Sequence, residues 1–242
     1  LFALNVAKYL KSKNVDLILS RSFIVSFFLS LFKIKHFLEI HSELKSLTKF
    51  LMINLNFINL KYIIKIILIS KALNKIYKIK NDKVIILHDG VDINNFKKNK
   101  IFKKIKIATY VGSFYKGRGI EIIEELAKKF KNIKFKLYGS KIEDLKPISS
   151  NIKFFGHINY NRVPSILSKS HILLMPYANE VFVRAKNINT ANYCSPLKMF
   201  DYLASSKIIL ASDLKVYKHI LKHKLNSILI KNSNIDNWEA WV

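Results

Sequence analysis

The stretch of sequence that decides the fold is 105–138, IKIATYVGSFYKGRGIEIIEELAKKFKNIKFKLY. It begins with a short apolar run over 105–111 and turns at Gly112. An amphipathic pattern with helical spacing then covers 119–130, and a second apolar run covers 133–138. A strand, a helix and a strand in this order are typical of a βαβ unit, in which the two strands are parallel.

The same alternation of apolar runs and amphipathic stretches continues in both directions. Further strands are predicted over 15–20, 36–41, 62–70, 83–87, 152–155, 172–175, 208–211 and 227–230. Further helices are predicted over 22–32, 44–60, 72–80, 163–168, 196–204 and 216–221. Because a segment rich in Asn, Asp and Lys interrupts the rhythm at 88–104, we predict two α/β domains, 1–95 and 96–242. We expect both to be Rossmann-like and to face a cleft, with the first one incomplete, because the chain opens in mid-helix.

Composition limits the class of protein. Hydrophobic residues make up 50% and charged residues 24% of the 242 residues, which is typical of folded globular protein. The single cysteine, Cys194, excludes an internal disulfide. The net charge is +26, but Lys is spread along the whole chain together with Ile and Asn. This favours a general compositional bias, with attraction to an anionic membrane surface or to a phosphate-bearing ligand as the alternatives. Lys61 and Lys65 interrupt the longest apolar stretch, 50–70, so no membrane span is predicted.

Three segments carry residues suited to binding or catalysis. After the strand at 105–111, Gly112 allows close approach of a ligand, and Arg118 offers a charged fork for phosphate oxygens. In the second segment, Ser195 is predicted as the N-cap of a helix with Pro196 in its first turn, and Lys198 and Asp201 share a face of that helix. The start of such a helix favours an anion.

The third segment is FLEIHSE (37–43), in which a strand places His41 at its carboxyl end, the ligand-binding edge of a parallel sheet. Each of these segments also has an ordinary structural interpretation: a glycine-rich turn, a capped helix with a Lys–Asp pair, and a histidine that serves packing. The scattered histidines and carboxylates do not have the spacing of metal ligands.

Taken in order, five segments resemble the GT4 family of retaining glycosyltransferases, part of the glycosyl transferases group 1. They are IILISKA (66–72), VIILHDGVDINNF (84–96), YVGSFYKGRGIEII (110–123), IKFFGHINYNRVPSILSKSHILLMPY (152–177) and SPLKMFDYLASSKIILASD (195–213). The resemblance covers nearly the whole chain and implies the GT-B fold. In that fold 1–95 is the later part of an acceptor-side domain and 96–242 is the nucleotide-sugar donor domain. Relative to the family, we expect the first strand, the first glycine-rich loop and the closing helix to be missing.

The resemblance also implies roles for individual residues. It places Arg118 where the family has a Lys that binds the donor phosphates, and Ser113 where many members have an assisting Arg. It places Asp201 where the family has a Glu that binds the donor ribose, and Tyr193 where that Glu has an acidic partner. His41 resembles the histidine of the acceptor domain that lies near the transferred sugar. The main-chain groups of Gly156 and His157 correspond to those that hold the base.

The predicted site therefore has three parts. The catalytic residues are His41, Arg118 and Lys198. The diphosphate-binding residues are Gly112, Ser113, Arg118, Ser195, Pro196, Leu197 and Lys198. The nucleoside-binding residues are Gly156, His157 and Asp201.

The resemblance implies transfer of a sugar, with retention, from a nucleotide-diphosphate sugar to a cell-surface glycan or lipid-linked saccharide. We expect no metal and no cofactor beyond the nucleotide sugar, no nucleic-acid partner, and a bacterial cytoplasmic location with peripheral contact at the inner membrane face. Two alternatives stay open: a nucleotide-sugar epimerase of the same fold, and a basic module that binds RNA or membrane without catalysis. The latter predicts cations and exposed aromatic rings on one face, whereas most of the 17 Phe lie in buried-looking runs.

Overall fold

The computed structural model describes residues 1–44, 48, 50, 60–96, 104–139, 147–182, 189–231 and 235–241. The chain forms two compact units, Leu1–His88 and Asp89–Val242. The boundary predicted between residues 95 and 96 lies seven residues after the boundary between these two units. Phe96, the first residue after the predicted boundary, packs against the core of the second unit.

The first unit contains a parallel sheet of four strands in the order β1-β2-β3-β4. The strands are β1 (Leu19–Ser20), β2 (His36–Ile40), β3 (Ile63–Leu68) and β4 (Val84–Ile86), and the helices are α1 (Phe2–Lys11), α2 (Phe23–Leu31) and α3 (Lys71–Tyr77). Serine side chains begin two of these helices: Ser22 accepts from the N–H of Val25 and Ser70 from that of Leu73, each at 3.4 Å. Leu38, Ile66 and Leu68 are fully buried in the sheet.

The second unit contains a parallel sheet of six strands in the order β10-β9-β8-β5-β6-β7. The strands are β5 (Ile107–Val111), β6 (Lys134–Tyr138), β7 (Ile152–Phe155), β8 (Ile172–Met175), β9 (Ile208–Ser212) and β10 (Ile228–Ile230). The helices are α4 (Ile120–Lys129), α5 (Val163–Ser168), α6 (Leu197–Ala204) and α7 (Asp236–Glu239). All four residues of β8 are buried, as expected for a central parallel strand.

The prediction of a parallel α/β protein is confirmed, and most elements fall within one or two residues of their predicted bounds. The helix predicted over 216–221 is wrong. Residues 215–220 form successive turns, in which the N–H groups of Ile220 and Leu221 both donate to the carbonyl of Tyr217. Tyr217 and Leu221 are fully buried, so the apolar spacing reflects burial rather than a helix. Most of the helix predicted over 44–60 lies outside the described residues. None of the described helices is long and apolar enough to cross a membrane.

Candidate functional site

Three glycines lie where neighbouring strands of the second unit end. Gly112 follows β5, Gly139 follows β6 and Gly156 follows β7. The N–H of Gly139 donates to the carbonyl of Gly156 at 3.2 Å, and a side chain on Gly139 would overlap the carbonyl of Gly112. The three turns therefore pack backbone against backbone at the carboxyl edge of the sheet, where ligands of open α/β sheets bind. Gly139 was not predicted, although its position after the strand at 133–138 was a usable signal.

Helix α6 is held against this edge by Tyr202. The hydroxyl of Tyr202 accepts from the N–H of Val111 at 2.9 Å and donates to the carbonyl of Leu174 at 3.3 Å. It thereby links the helix to the end of β5 and to β8. Because Tyr202 is fully buried, this link fixes the position of the start of α6 relative to the strand ends.

The predicted cap of α6 is wrong by one residue. Pro196, with extended backbone, occupies the N-cap position, and no side chain caps the helix. Ser195 instead lies before the cap, and its buried Oγ has no hydrogen-bond partner within the described part of the chain. The helix's own bonds begin with the N–H of Met199, which donates to the carbonyl of Pro196 at 2.9 Å. The N–H groups of Leu197 and Lys198 precede that ladder, at the end of a helix that favours an anion.

Lys198 extends from the first turn of α6 to the end of β5. A side chain on Gly112 would overlap its amine, so the glycine is required for this close approach. The Nζ atom lies 3.7 Å from the centroid of the Tyr110 ring and 5.0 Å from that of Tyr177. It is buried and has no hydrogen-bond partner among the residues described. Burial, followed by the charge of Arg118, holds the pKa of Lys198 well below its ordinary value.

Arg118 immediately precedes Gly119, the N-cap of α4. Its guanidinium carbon lies 4.7 Å from the centroid of the Tyr177 ring, so Arg118 and Lys198 share this ring as a cation–π partner. The buried Nε of Arg118 has no hydrogen-bond partner in the described ranges. Tyr110 and Tyr177 were not predicted. Tyr110 is the last but one residue of β5, and Tyr177 follows β8. A position at the carboxyl end of a strand was the signal available in the sequence.

Asp201, in the second turn of α6, is only 5% exposed. The hydroxyl of Tyr160, in the loop after β7, donates to its Oδ1 at 2.7 Å. Burial raises the pKa of Asp201, while the Tyr160 hydrogen bond and the charge of Lys198 oppose that rise. Burial and the bond to Asp201, with the charges of Asp201 and Asp92, raise the pKa of Tyr160 to about 12. The sequence analysis identified Asp201 but not its partner Tyr160.

The remaining predicted residues of the second unit lie around these groups. Ser113 accepts a hydrogen bond from the Tyr110 hydroxyl through its carbonyl, at 2.7 Å. The side chains of Leu197 and His157 are exposed. Among the described residues, no group of three His, Cys, Asp or Glu side chains is arranged to hold a metal ion.

His41 belongs to the first unit and follows β2. Its Nε2 lies 2.6 Å from Oε1 of Glu39, and its Nδ1 lies 3.1 Å from a guanidinium nitrogen of Arg21. Arg21 also pairs with Glu39, with 3.5 Å between Nε and Oε2. Both ring nitrogens of His41 are therefore engaged, by two residues that the sequence analysis did not single out.

Several solved structures share this architecture. The UDP complex of HepE from Anabaena has a TM-score of 0.74 and 14% identity, and the match covers 98% of this chain and 70% of HepE. A glycosyltransferase from Rickettsia africae also has a TM-score of 0.74 and 14% identity, with 98% and 68% covered. The lipopolysaccharide outer core galactosyltransferase WaaB has a TM-score of 0.68 and 16% identity, again with 98% and 68% covered. At these identities the likeness establishes the fold, which is that of the GT-B glycosyltransferases.

The sequence itself identifies the family. The model of the family described as "Glycosyl transferases group 1" matches residues 91–242, more than half of the chain. The chain therefore belongs to the glycosyl transferases group 1, as the sequence motifs indicated. No curated protein sequence matches it significantly.

Proposed function

We propose that the chain transfers a sugar from a nucleoside-diphosphate sugar to a glycan or lipid-linked saccharide, with retention of anomeric configuration. The observation that carries this proposal is a set of three buried polar atoms without hydrogen-bond partners among the described residues: Nζ of Lys198, Nε of Arg118 and Oγ of Ser195. Buried polar atoms normally have partners, and all three are donors. A diphosphate group offers acceptor oxygens to each of them.

The chemistry follows from where charge develops. In the transfer, the bond between the sugar C1 and the diphosphate oxygen breaks, and an acceptor hydroxyl oxygen forms the new bond to C1. The hydroxyl proton leaves with the departing diphosphate or to solvent. Arg118, Lys198 and the first N–H groups of α6 would stabilise the negative charge that accumulates on the diphosphate. We assign this task to the side-chain cations rather than to a metal ion. His41 of the first unit is proposed to act near the transferred sugar.

The named relatives suggest which nucleotide to test first. HepE was crystallised with UDP and with UDP-glucose, and WaaB is named as a galactosyltransferase. UDP-hexoses are therefore the first candidate donors. The proposal includes a cytoplasmic location with peripheral contact at an anionic membrane surface, and the net charge of +26 is compatible with that contact.

Calorimetric titration with UDP, GDP and ADP tests the proposal. We expect one of them to bind with micromolar affinity, and Asp201→Ala to weaken that binding. A chain that melts cooperatively yet binds none of the three would contradict the proposal.

A further inference from the structure

The hydrogen bond between Tyr160 and Asp201 gives these two side chains a defined hydrogen-bonding capacity. A tyrosine hydroxyl has one proton, and Tyr160 donates it to Oδ1 of Asp201 at 2.7 Å. The Tyr160 oxygen can then only accept a further hydrogen bond. The second carboxylate oxygen of Asp201 is likewise an acceptor. The pair therefore presents two neighbouring acceptors, which match two neighbouring hydroxyl donors.

The position of the pair indicates which diol it would meet. Asp201 lies on the same face of α6 as Lys198, and the two charges influence each other. Lys198 is in turn influenced by Arg118. From the two cations the coupling thus leads to Asp201 and, through its hydrogen bond, to Tyr160. A nucleotide has the same order, with the phosphates followed by the ribose and its vicinal 2′- and 3′-hydroxyls.

Asp201 and Tyr160 differ in their exposure to solvent. Asp201 is only 5% exposed, whereas Tyr160 is 55% exposed. The side chain of Tyr160 is therefore open to a ligand, while that of Asp201 is largely covered. Asp92 adds a second negative charge near the Tyr160 hydroxyl. Negative charge around this oxygen makes it a better acceptor for a donated O–H.

We propose that Tyr160 is a nucleoside-binding residue whose hydroxyl, oriented by Asp201, accepts a hydrogen bond from a ribose hydroxyl of the bound nucleotide. The Asp201–Tyr160 pair thereby selects ribonucleotides over their deoxy counterparts. This inference rests on the proposed function, because it requires a nucleotide at the carboxyl edge of the second unit.

The test compares UDP with 2′-deoxy-UDP and 3′-deoxy-UDP in the wild-type chain and in Tyr160→Phe. If GDP or ADP binds more tightly than UDP, the matching deoxy pair is used. One neutral hydrogen bond corresponds to roughly a two- to tenfold change in affinity. We expect the wild type to prefer the ribonucleotide by this factor over at least one deoxy form, and Tyr160→Phe to bring that ratio close to one. Tyr9→Phe, which removes a hydroxyl from an exposed tyrosine of the first unit, is the matched control.

The experiment distinguishes a failure of the proposed function from a failure of the proposed role of Tyr160. If no nucleotide binds to the wild type, the proposed function and this inference both fail. If UDP binds but Tyr160→Phe leaves both ratios unchanged, only the role of Tyr160 is overturned. Tyr160→Phe removes the hydrogen bond to the buried carboxylate of Asp201, so we expect this variant to melt at a lower temperature but still cooperatively. If that variant does not fold, Asp201→Asn is the second variant, because it keeps the side-chain volume and removes the second carboxylate acceptor; an unchanged ratio in it overturns the selection of ribonucleotides by the pair.

Discussion

At the residue scale, Lys198 has two properties that share one cause, its burial. Its amine is buried without a hydrogen-bond partner among the described residues, and its pKa is held well below the ordinary value by burial and by Arg118. A bound diphosphate would add negative charge beside it and favour the ammonium form. Between the lowered pKa of the empty site and the higher pKa of the complex, nucleotide binding must therefore take up a proton.

We predict proton uptake of up to one equivalent, and affinity that increases as pH falls through this window. Titrations at several pH values from 8 upward, in two buffers of different ionisation enthalpy at each, measure it, because the terminal phosphate, with a pKa of about 6, is already ionised there. Lys198→Met is expected to abolish the uptake. Proton release, or the same uptake in Lys198→Met, would contradict the account.

Also at the residue scale, Arg21 and Glu39 determine which nitrogen of His41 carries the proton. Arg21 donates to Nδ1 and Glu39 accepts from Nε2, so the neutral ring is predicted to be protonated on Nε2. Nitrogen NMR of histidine-labelled protein measures this without any substrate. Glu39→Ala should give a mixture of tautomers, whereas Glu39→Gln, which keeps an acceptor oxygen, should retain more of the Nε2 form. A neutral ring protonated on Nδ1 in the wild type would disprove the assignment.

The sequence suggests candidate site residues but not the side chains that the structure places beside them. Arg118, Lys198, Asp201 and His41 were identified because charged side chains after strands, or at a helix start, have a recognisable context. The contacts of Asp201 with Tyr160, and of His41 with Arg21, join residues far apart in the chain. Such pairs depend on tertiary packing, for which the spacing of a single sequence contains no signal.

At the element scale, the turn into α4 depends on Gly119. Its φ is +75°, and a side chain there would overlap the backbone carbonyl of Pro176. We predict that Gly119→Ala lowers the free energy of unfolding by at least about 1–3 kcal/mol, the cost of such backbone strain. Gly90, in the same unit, has nothing within 4 Å of a built side chain, so Gly90→Ala should change stability by less than about 0.5 kcal/mol. Urea unfolding of both variants checks this, and equal stability of the two would contradict it.

Elements were predictable where local signals agreed with packing. Three elements have the predicted bounds: the strands β7 and β8 and the helix α5. In each of them the apolar residues have the spacing of the element and are buried or half-buried in the structure. The turns at 215–220 were mistaken for a helix because burial of Tyr217 and Leu221 imitates helical spacing. The cap of α6 lies at Pro196 instead of Ser195 because the Oγ atom of Ser195 is buried and does not bond to the helix start.

At the scale of the whole molecule, the two parallel sheets and the family membership of residues 91–242 agree with the sequence motifs. The central proposal is that the carboxyl edge of the second unit binds a nucleoside diphosphate. Arg118 and Lys116 make this expectation testable, because they are two cations of the same loop with different surroundings. Arg118 lies over the Tyr177 ring beside Lys198, whereas Lys116 is exposed and lies over the ring of Phe182 at 5.7 Å.

The most direct measurement is a titration of the wild type, Arg118→Ala and Lys116→Ala with the nucleoside diphosphate that binds best. A hydrogen bond to a charged group is worth about 1.5–3 kcal/mol, so Arg118→Ala should weaken binding at least tenfold. Lys116→Ala should change the affinity by less than about threefold, as expected for a solvated surface charge. Equal affinities for the wild type and Arg118→Ala, or a larger loss in Lys116→Ala, would contradict the placement of the diphosphate at this edge.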